Sequence, residues 1–315
     1  MQETYTNKRP NDFDEVIDLK ELFYILLEGK RIIVSVTAFV SIVGVIYSLL
    51  LPNIYESKAL LFPVNTSNSI AGALGSYGSF SGLTGISLPS VEGEGNSLKA
   101  TEKMGTLSFF ENNIFSNIYL PDLMAVKAWN AKTNSLVYDK DVYDVESNAW
   151  VRDVSYPKQT IPSAQESYEI FKEDHLSFSV DKKSGFITLA VKHQSPFIAK
   201  EWTELIINEV NDFYRTKDKL ESEKAVSYLN QQISLTSLSE IKEALALLLQ
   251  EQVKKLTLIE ASELYVFDYI DPPAVMEKKS EPRRSLICIM AAILGCMLSV
   301  LYVLLRNYAL NEKTL

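Results

Sequence analysis

The stretch that decides the fold runs from Ser195 to Leu235, "SPFIAKEWTELIINEVNDFYRTKDKLESEKAVSYLNQQISL". Ser195 offers a hydroxyl cap, and Pro196 sits in a first helical turn that needs no donor. Ile198, Trp202, Leu205, Ile206, Val210 and Phe213 then recur at helical spacing, and Tyr228, Leu229 and Ile233 continue the stripe. Charges such as Lys200, Glu201, Glu204, Asp212 and Lys217 fill the other positions. Neither glycine nor proline occurs between Phe197 and Asp271. Such a helix is about 60 Å long at roughly 1.5 Å per residue, longer than an ordinary domain is wide. Ser237 and Glu240 have the spacing of a capping box. They predict a second helix, returning through Ile241, Leu245, Leu248, Leu256 and Ile259. The result is an antiparallel helical arm. Two helices cover only part of each other, so Trp202, Phe213 and Tyr214 on the long helix are expected to contact neighbouring copies of the chain.

Working outward, the arm lies between two apolar runs. Ile32 to Leu51 and Leu286 to Leu305 contain neither charge nor proline. Each has the roughly 20 residues that carry a helix across a bilayer. Lys30 and Arg31 flank the first run, and Arg283, Arg284 and Arg306 the second. The first run is too long for a cleaved signal, and an acid-containing segment precedes it. Two spans put both termini on one side. Lys20, Lys30, Arg31, Arg306 and Lys313 on the terminal side balance Lys58, Lys278, Lys279, Arg283 and Arg284 on the loop side. The charge rule therefore leaves the orientation open. Gly44 and Ser48 in the first span, and Ala291, Gly295 and Ser299 in the second, recur every four residues. This spacing allows close helix packing within or between subunits.

Between the spans, "YESKALLFPV" (Tyr55 to Val64) reads as a strand, and "LYVFDYID" as a strand returning to the base after the arm. Pairing the two would close the base. Asp271-Pro272-Pro273 stops that strand, because proline donates no ladder bond. With Pro282 it forms a stiff approach to the second span. Seven of the twelve glycines fall in residues 71–95. No lysine follows at phosphate-loop spacing, so a packing or moving loop is expected there. A helical pattern from Leu98 ends near Pro121-Asp122, and a mixed stretch with Trp129, Tyr138, Tyr143 and Trp150 follows. Alternation in "LSFSVDKKSGFITLAVKH" predicts a hairpin turning at Gly185. The fold class is α+β, with a mixed α/β base next to the membrane and a projecting helical hairpin.

The terminal segments are short. Leu19, Leu22, Phe23, Leu26 and Leu27 lie on one helical face, preceded by Asp12 and Glu15 at capping-box spacing. This helix either extends the first span or lies on the membrane surface. The tail "NYALNEKTL" holds no signalling or nucleotide-binding module, so no fused kinase or receptor output is expected.

These residues resemble the Wzz-type O-antigen chain-length regulators, or polysaccharide co-polymerases. The resemblance is carried by "IDLKELFYILLEGKRIIV", "GSFSGLTGIS", "SPFIAKEWTELIINEVN" and, above all, "ELYVFDYIDPPAVMEKKSEPRRSLICIMAAILG". Family members often carry a further proline near Met276, which this chain lacks. The resemblance implies a two-pass protein of the bacterial inner membrane. Residues 1–31 and 306–315 would be cytoplasmic, and 52–285 a periplasmic domain. That domain divides into a base (52–195 and 263–285) and an arm (196–262). It further implies a homo-oligomeric ring that sets the modal length of lipopolysaccharide O-antigen made by a Wzy-type polymerase, in contact with membrane lipids and lipid-linked polysaccharide. The alternative is a membrane adaptor for capsule or exopolysaccharide export, acting with a separate tyrosine kinase.

Catalysis finds little support in the residues. There are two histidines, His175 and His193, both beside strands, and no cluster has metal-ligand spacing. No catalytic residue, cofactor or metal is expected. Both cysteines, Cys288 and Cys296, fall in the second span, so the outer domain has no disulfide. A net charge of −9 and a pI near 5.0 disfavour nucleic acid as a partner.

Overall fold

The structure is a computed structural model that describes residues 19–64, 93–262 and 264–311. The chain forms two compact units. One comprises the terminal helices, and the other spans Asn53–Ser280.

In the helical unit, α1 (Leu19–Glu28) runs through Gly29 into α2 (Lys30–Leu50). Gly29 keeps right-handed helical angles, its N–H donates to Ile25 O, and its own carbonyl accepts from Ile33. Helical hydrogen bonds thus carry the backbone from α1 into α2, as the extension reading of α1 expects. The Asp12–Glu15 cap lies outside the described residues.

The outer unit is organised by β1 (Tyr55–Pro63), which lies inside a four-stranded sheet. The glycine-rich loop falls largely outside the described residues. The chain re-enters at α3 (Gly93–Met104). Gly105 and Thr106 break the helix that the sequence predicts as continuous. Thr106 Oγ1 accepts from Phe109 N and starts α4 (Leu107–Phe109), which widens into a π turn at Phe110–Ile114. Pro121 opens the short α5 (Leu120–Met124) rather than ending a long helix. The position fits its missing N–H, which the first turn does not use. Two small hairpins follow, β2 (Val126–Asn130) with β3 (Ser135–Tyr138), and β4 (Tyr143–Asp144) with β5 (Ala149–Trp150). Next, α6 (Ala164–Ile170) is capped by Ser163 and ends in a second π turn, Phe171–His175. The two π turns turn their rings toward each other, with Phe110 and Phe171 5.0 Å apart.

The predicted hairpin is β6 (Leu176–Val180) and β7 (Ile187–His193). Asp181 N donates to Phe186 O across the turn, and Gly185 takes φ +72°, a value that L side chains resist. After α7 (Pro196–Leu235) and α8 (Ser239–Ala261), β8 (Phe267–Asp271) closes the sheet in the order β6-β7-β1-β8, antiparallel throughout. The first and last strands of the domain therefore pair. On one sheet face Ala59, Leu61, Ile187, Leu189 and Val191 are buried beneath Trp202, Ile206, Ile207 and Val210 of α7. The final helix, α9 (Arg284–Asn311), belongs to the helical unit.

Two capping expectations fail. Ser195 occupies the N-cap of α7 but makes no side-chain cap bond; its N–H donates instead to His193 Nδ1. The Ser237–Glu240 box does not form, because α8 starts at Ser239 behind Leu238. Thr236 Oγ1 instead donates back to Gln232 O, finishing the preceding helix.

Candidate functional site: a helix seam and a helical arm

In the helical unit α2 and α9 pack along an antiparallel seam, and both are long and apolar enough to cross a membrane. The structure brings the small residues singled out from the sequence into this seam. A Cβ on Gly44 would lie 2.5 Å from the Ala291 Cβ. A Cβ on Gly295 would lie 3.0 Å from the Val40 Cβ and 3.2 Å from the Thr37 backbone. Ser48 and Ser299 are buried, and Ser299 Oγ donates to Cys296 O while lying 3.4 Å from Thr37 Oγ1. Gly29 extends the seam, since a Cβ there would meet Val303 at 2.5 Å. Thr37 and Gly29 escaped the sequence reading, although Thr37 stands seven residues before Gly44 and so on the same face. The small-residue faces pair within one chain.

In the outer unit the long helix has two different halves. From Pro196 to Asp218 it lies over the sheet. Trp202, 3% exposed, sits against Phe171, His175 and His193, and Tyr214 is also buried. Phe213 is partly buried, with the Lys103 ammonium 5.1 Å from its ring centre. This corrects the expectation that Trp202 and Tyr214 need neighbouring chains: the helix's first turns roof the chain's own sheet, so these rings are dry already. Apart from Phe197 in the first turn, the large exposed apolar groups of the arm lie farther along. Tyr228 is 61% exposed and Leu235 71%, and Ile241, Leu247, Leu248 and Val253 on α8 are exposed as well.

The corner where the arm returns is held by a side chain that the sequence reading passed over. Asn211 is buried on α7; its Oδ1 accepts from the N–H groups of Tyr265, Val266 and Phe267, and its Nδ2 donates to Phe267 O. Two turns on, Asp218 accepts from the Tyr265 hydroxyl at 2.7 Å. Burial first, and then the hydrogen bond to Asp218 and the negative charge of that carboxylate, push the Tyr265 phenol well above its ordinary range. Lys219 and Glu260 pair across the two helices. A polar Asn among Ile207, Val210 and Tyr214 on one face was the available signal.

The histidines are structural members of the base. His193 Nε2 donates to Asp122 O at 2.9 Å, because Nδ1 already accepts from Ser195 N. His175 Nδ1 donates to Lys192 O at 2.7 Å. Burial lowers both imidazoles, His193 to about 4, and the neighbouring His175 lowers His193 further. Among the described residues no group of three or more His, Cys, Asp or Glu could hold a metal ion.

The proline segment runs beside β1. Ser57 Oγ donates to Ala274 O at 3.0 Å, and Ser280 N to Ile54 O at 2.8 Å. Pro273 is buried and Pro272 exposed, and Pro282 lies two residues before α9.

Residues 15–103 match the family of the Wzz chain length determinant protein, and residues 230–308 match a family described as a G-rich domain on putative tyrosine kinase. Among solved structures, the chain is similar to a full-length bacterial polysaccharide co-polymerase at 15% identity. That match covers 94% of this chain and 99% of the other, with a TM-score of 0.38. It is also similar to a fragment of WzzB, a polysaccharide co-polymerase from Salmonella Typhimurium, at 11% identity. There the match covers 73% of this chain and 100% of the other, with a TM-score of 0.31. No curated protein matches. Residues 15–103 are thus the part of the chain that is similar to the Wzz chain length determinant family.

Proposed function

We propose that the chain regulates the modal length of lipopolysaccharide O-antigen, as a non-catalytic oligomeric scaffold working with a Wzy-type polymerase. The observation that carries this reading is the match of residues 15–103 to the chain length determinant family. In this proposal α2 and α9 cross the inner membrane, residues 1–31 and 306–315 are cytoplasmic, and residues 52–285 form a periplasmic domain. Copies assemble side by side. The exposed apolar residues of the far arm support assembly, because Tyr228, Leu235, Leu247 and Leu248 stay at least half exposed in their own chain. The contact residues are thus moved outward from Trp202 and Tyr214, which their own chain buries. Lipid-linked polysaccharide and the polymerase are the further partners.

A second reading has its own observation. The match of residues 230–308 to the kinase-associated domain favours an adaptor for capsule or exopolysaccharide export that acts with a separate tyrosine kinase. Deleting the gene separates the two. Loss of a modal band cluster from silver-stained lipopolysaccharide is the outcome expected of the first. Unchanged banding with loss of capsule overturns it in favour of the second.

A further inference from the structure

The outer unit carries a compact aromatic patch at one corner. Tyr55, at the start of β1, meets Trp129 of the β2–β3 hairpin edge-on at 5.4 Å, and Trp129 meets Phe197 of α7's first turn at 6.3 Å. Leu136 stands opposite Trp129 across the hairpin and shares its face. Phe197 is 47% exposed, and Tyr55 and Trp129 are half-buried, so the patch is open along one side. Its position in the chain says what lies near it. Tyr55 follows the last residue of α2 by five residues, which at full extension span about 17 Å. The chain also leaves the unit here: Ser280 N donates to Ile54 O, and Lys279 Nζ to Asn53 Oδ1. Both tethers of the outer unit are therefore fastened beside Tyr55.

We infer that Tyr55, Trp129 and Phe197 form a lipid-facing seat that rests in the headgroup region of the bilayer entered by α2 and α9. Tyrosine and tryptophan favour that layer because each is an apolar ring with a polar tip. The Trp129 indole N–H already donates to Asn134 Oδ1, so the ring enters lipid without an unpaired donor. On the hairpin, Lys127 is paired with Asp139. The seat works by ring burial rather than by attraction to anionic lipid, and zwitterionic lipid suffices. This inference rests on the two-span reading.

The chain has three tryptophans, and the other two are Trp150 and Trp202. The test reconstitutes the full chain carrying Trp150→Phe and Trp202→Phe into phosphatidylcholine vesicles. Its emission is compared with that in vesicles whose acyl chains are brominated near the headgroup. Brominated lipid is expected to lower Trp129 emission to about half, with little quenching by aqueous iodide. Two results overturn the inference: quenching by iodide alone, which means a wet patch, or quenching by neither, which means cover by protein such as a second copy. Should Trp202→Phe fail to fold, the difference between wild type and Trp129→Phe reports the same quantity. A control places the sole tryptophan in α2 by Phe39→Trp, at an exposed position near the middle of the span, in vesicles brominated deep in the acyl chains. Loss of lipid quenching in that control indicts the two-span reading; its retention leaves any failure with the patch.

Discussion

The two halves of the long helix make opposite use of the same periodicity. Up to Asp218, apolar groups at helical spacing meet the chain's own sheet, and a buried Asn ties the helix to β8. Beyond Lys219, only Ser222 and Leu229 are buried, while Tyr228 and Leu235 stand in the open. One stripe of sequence thus serves two purposes, and only the surroundings tell them apart. The near half serves folding, and the far half offers the exposed apolar side chains on which the proposed assembly rests.

The largest effect is expected at the near half. Asn211→Ala leaves three buried N–H groups without an acceptor, a loss of about 4 kcal/mol or more. Urea unfolding followed by Trp202 fluorescence checks it, and a midpoint like wild type would remove Asn211 from its role.

Next comes pH. Below pH 6.5 the unfolded chain's imidazole takes a proton that buried His193 refuses until about pH 4. Stability is therefore full above that window and declines as pH falls through it, by about 3 kcal/mol. Protonation would also set a new Nδ1–H against the Ser195 N–H. Unfolding midpoints measured from pH 7 to pH 4 should fall, and His193→Gln should flatten the slope.

Smaller again is Gly44→Leu, which forces α2 and α9 apart where Ala291 stands 2.5 Å from the added Cβ, at about 1–3 kcal/mol. Paired cysteines at Thr37 and Ser299, with Cys288 and Cys296 replaced by serine, should cross-link in the parent and poorly in the variant. Gly295→Leu should act likewise on the seam.

The smallest effect on the stability of a single chain belongs to the far arm. Leu248→Asp should change it by about 0.5 kcal/mol or less, since the side chain is exposed. Oligomer size in detergent should nevertheless collapse. An unchanged size would leave the halves of the helix with no difference in purpose.

The elements that periodicity marks strongly were legible in the sequence. The long helix, its return, the β6–β7 hairpin and the pairing of first and last strands all follow from apolar spacing and from glycine and proline placement. What escaped depends on three-dimensional neighbours. Ser237 and Glu240 have the spacing of a cap, yet Thr236 closes the earlier helix first. Trp202 looks the same on a helical wheel whether a sheet or another chain faces it. The π turns rest on rings from distant segments, Phe110 and Phe171, meeting across the core. Asn211 becomes visible only once β8 brings three amides to its carbonyl. In the helix seam the every-fourth-residue pattern pointed to the right faces, and it could not say that both faces belong to one chain.

The bond between Ser280 and Ile54 joins the points where the chain enters and leaves the outer domain. A force that draws these points apart acts first on that bond and on the Lys279–Asn53 and Ser280–Glu56 contacts beside it, before reaching the next one along β1. The strands would part like a zipper, one link at a time and at low load, whereas a pull along the strands would have to shear many links together. The domain is thus mechanically weakest at its doorway, and any strain arising between the two tethers would be spent there before it reached the core.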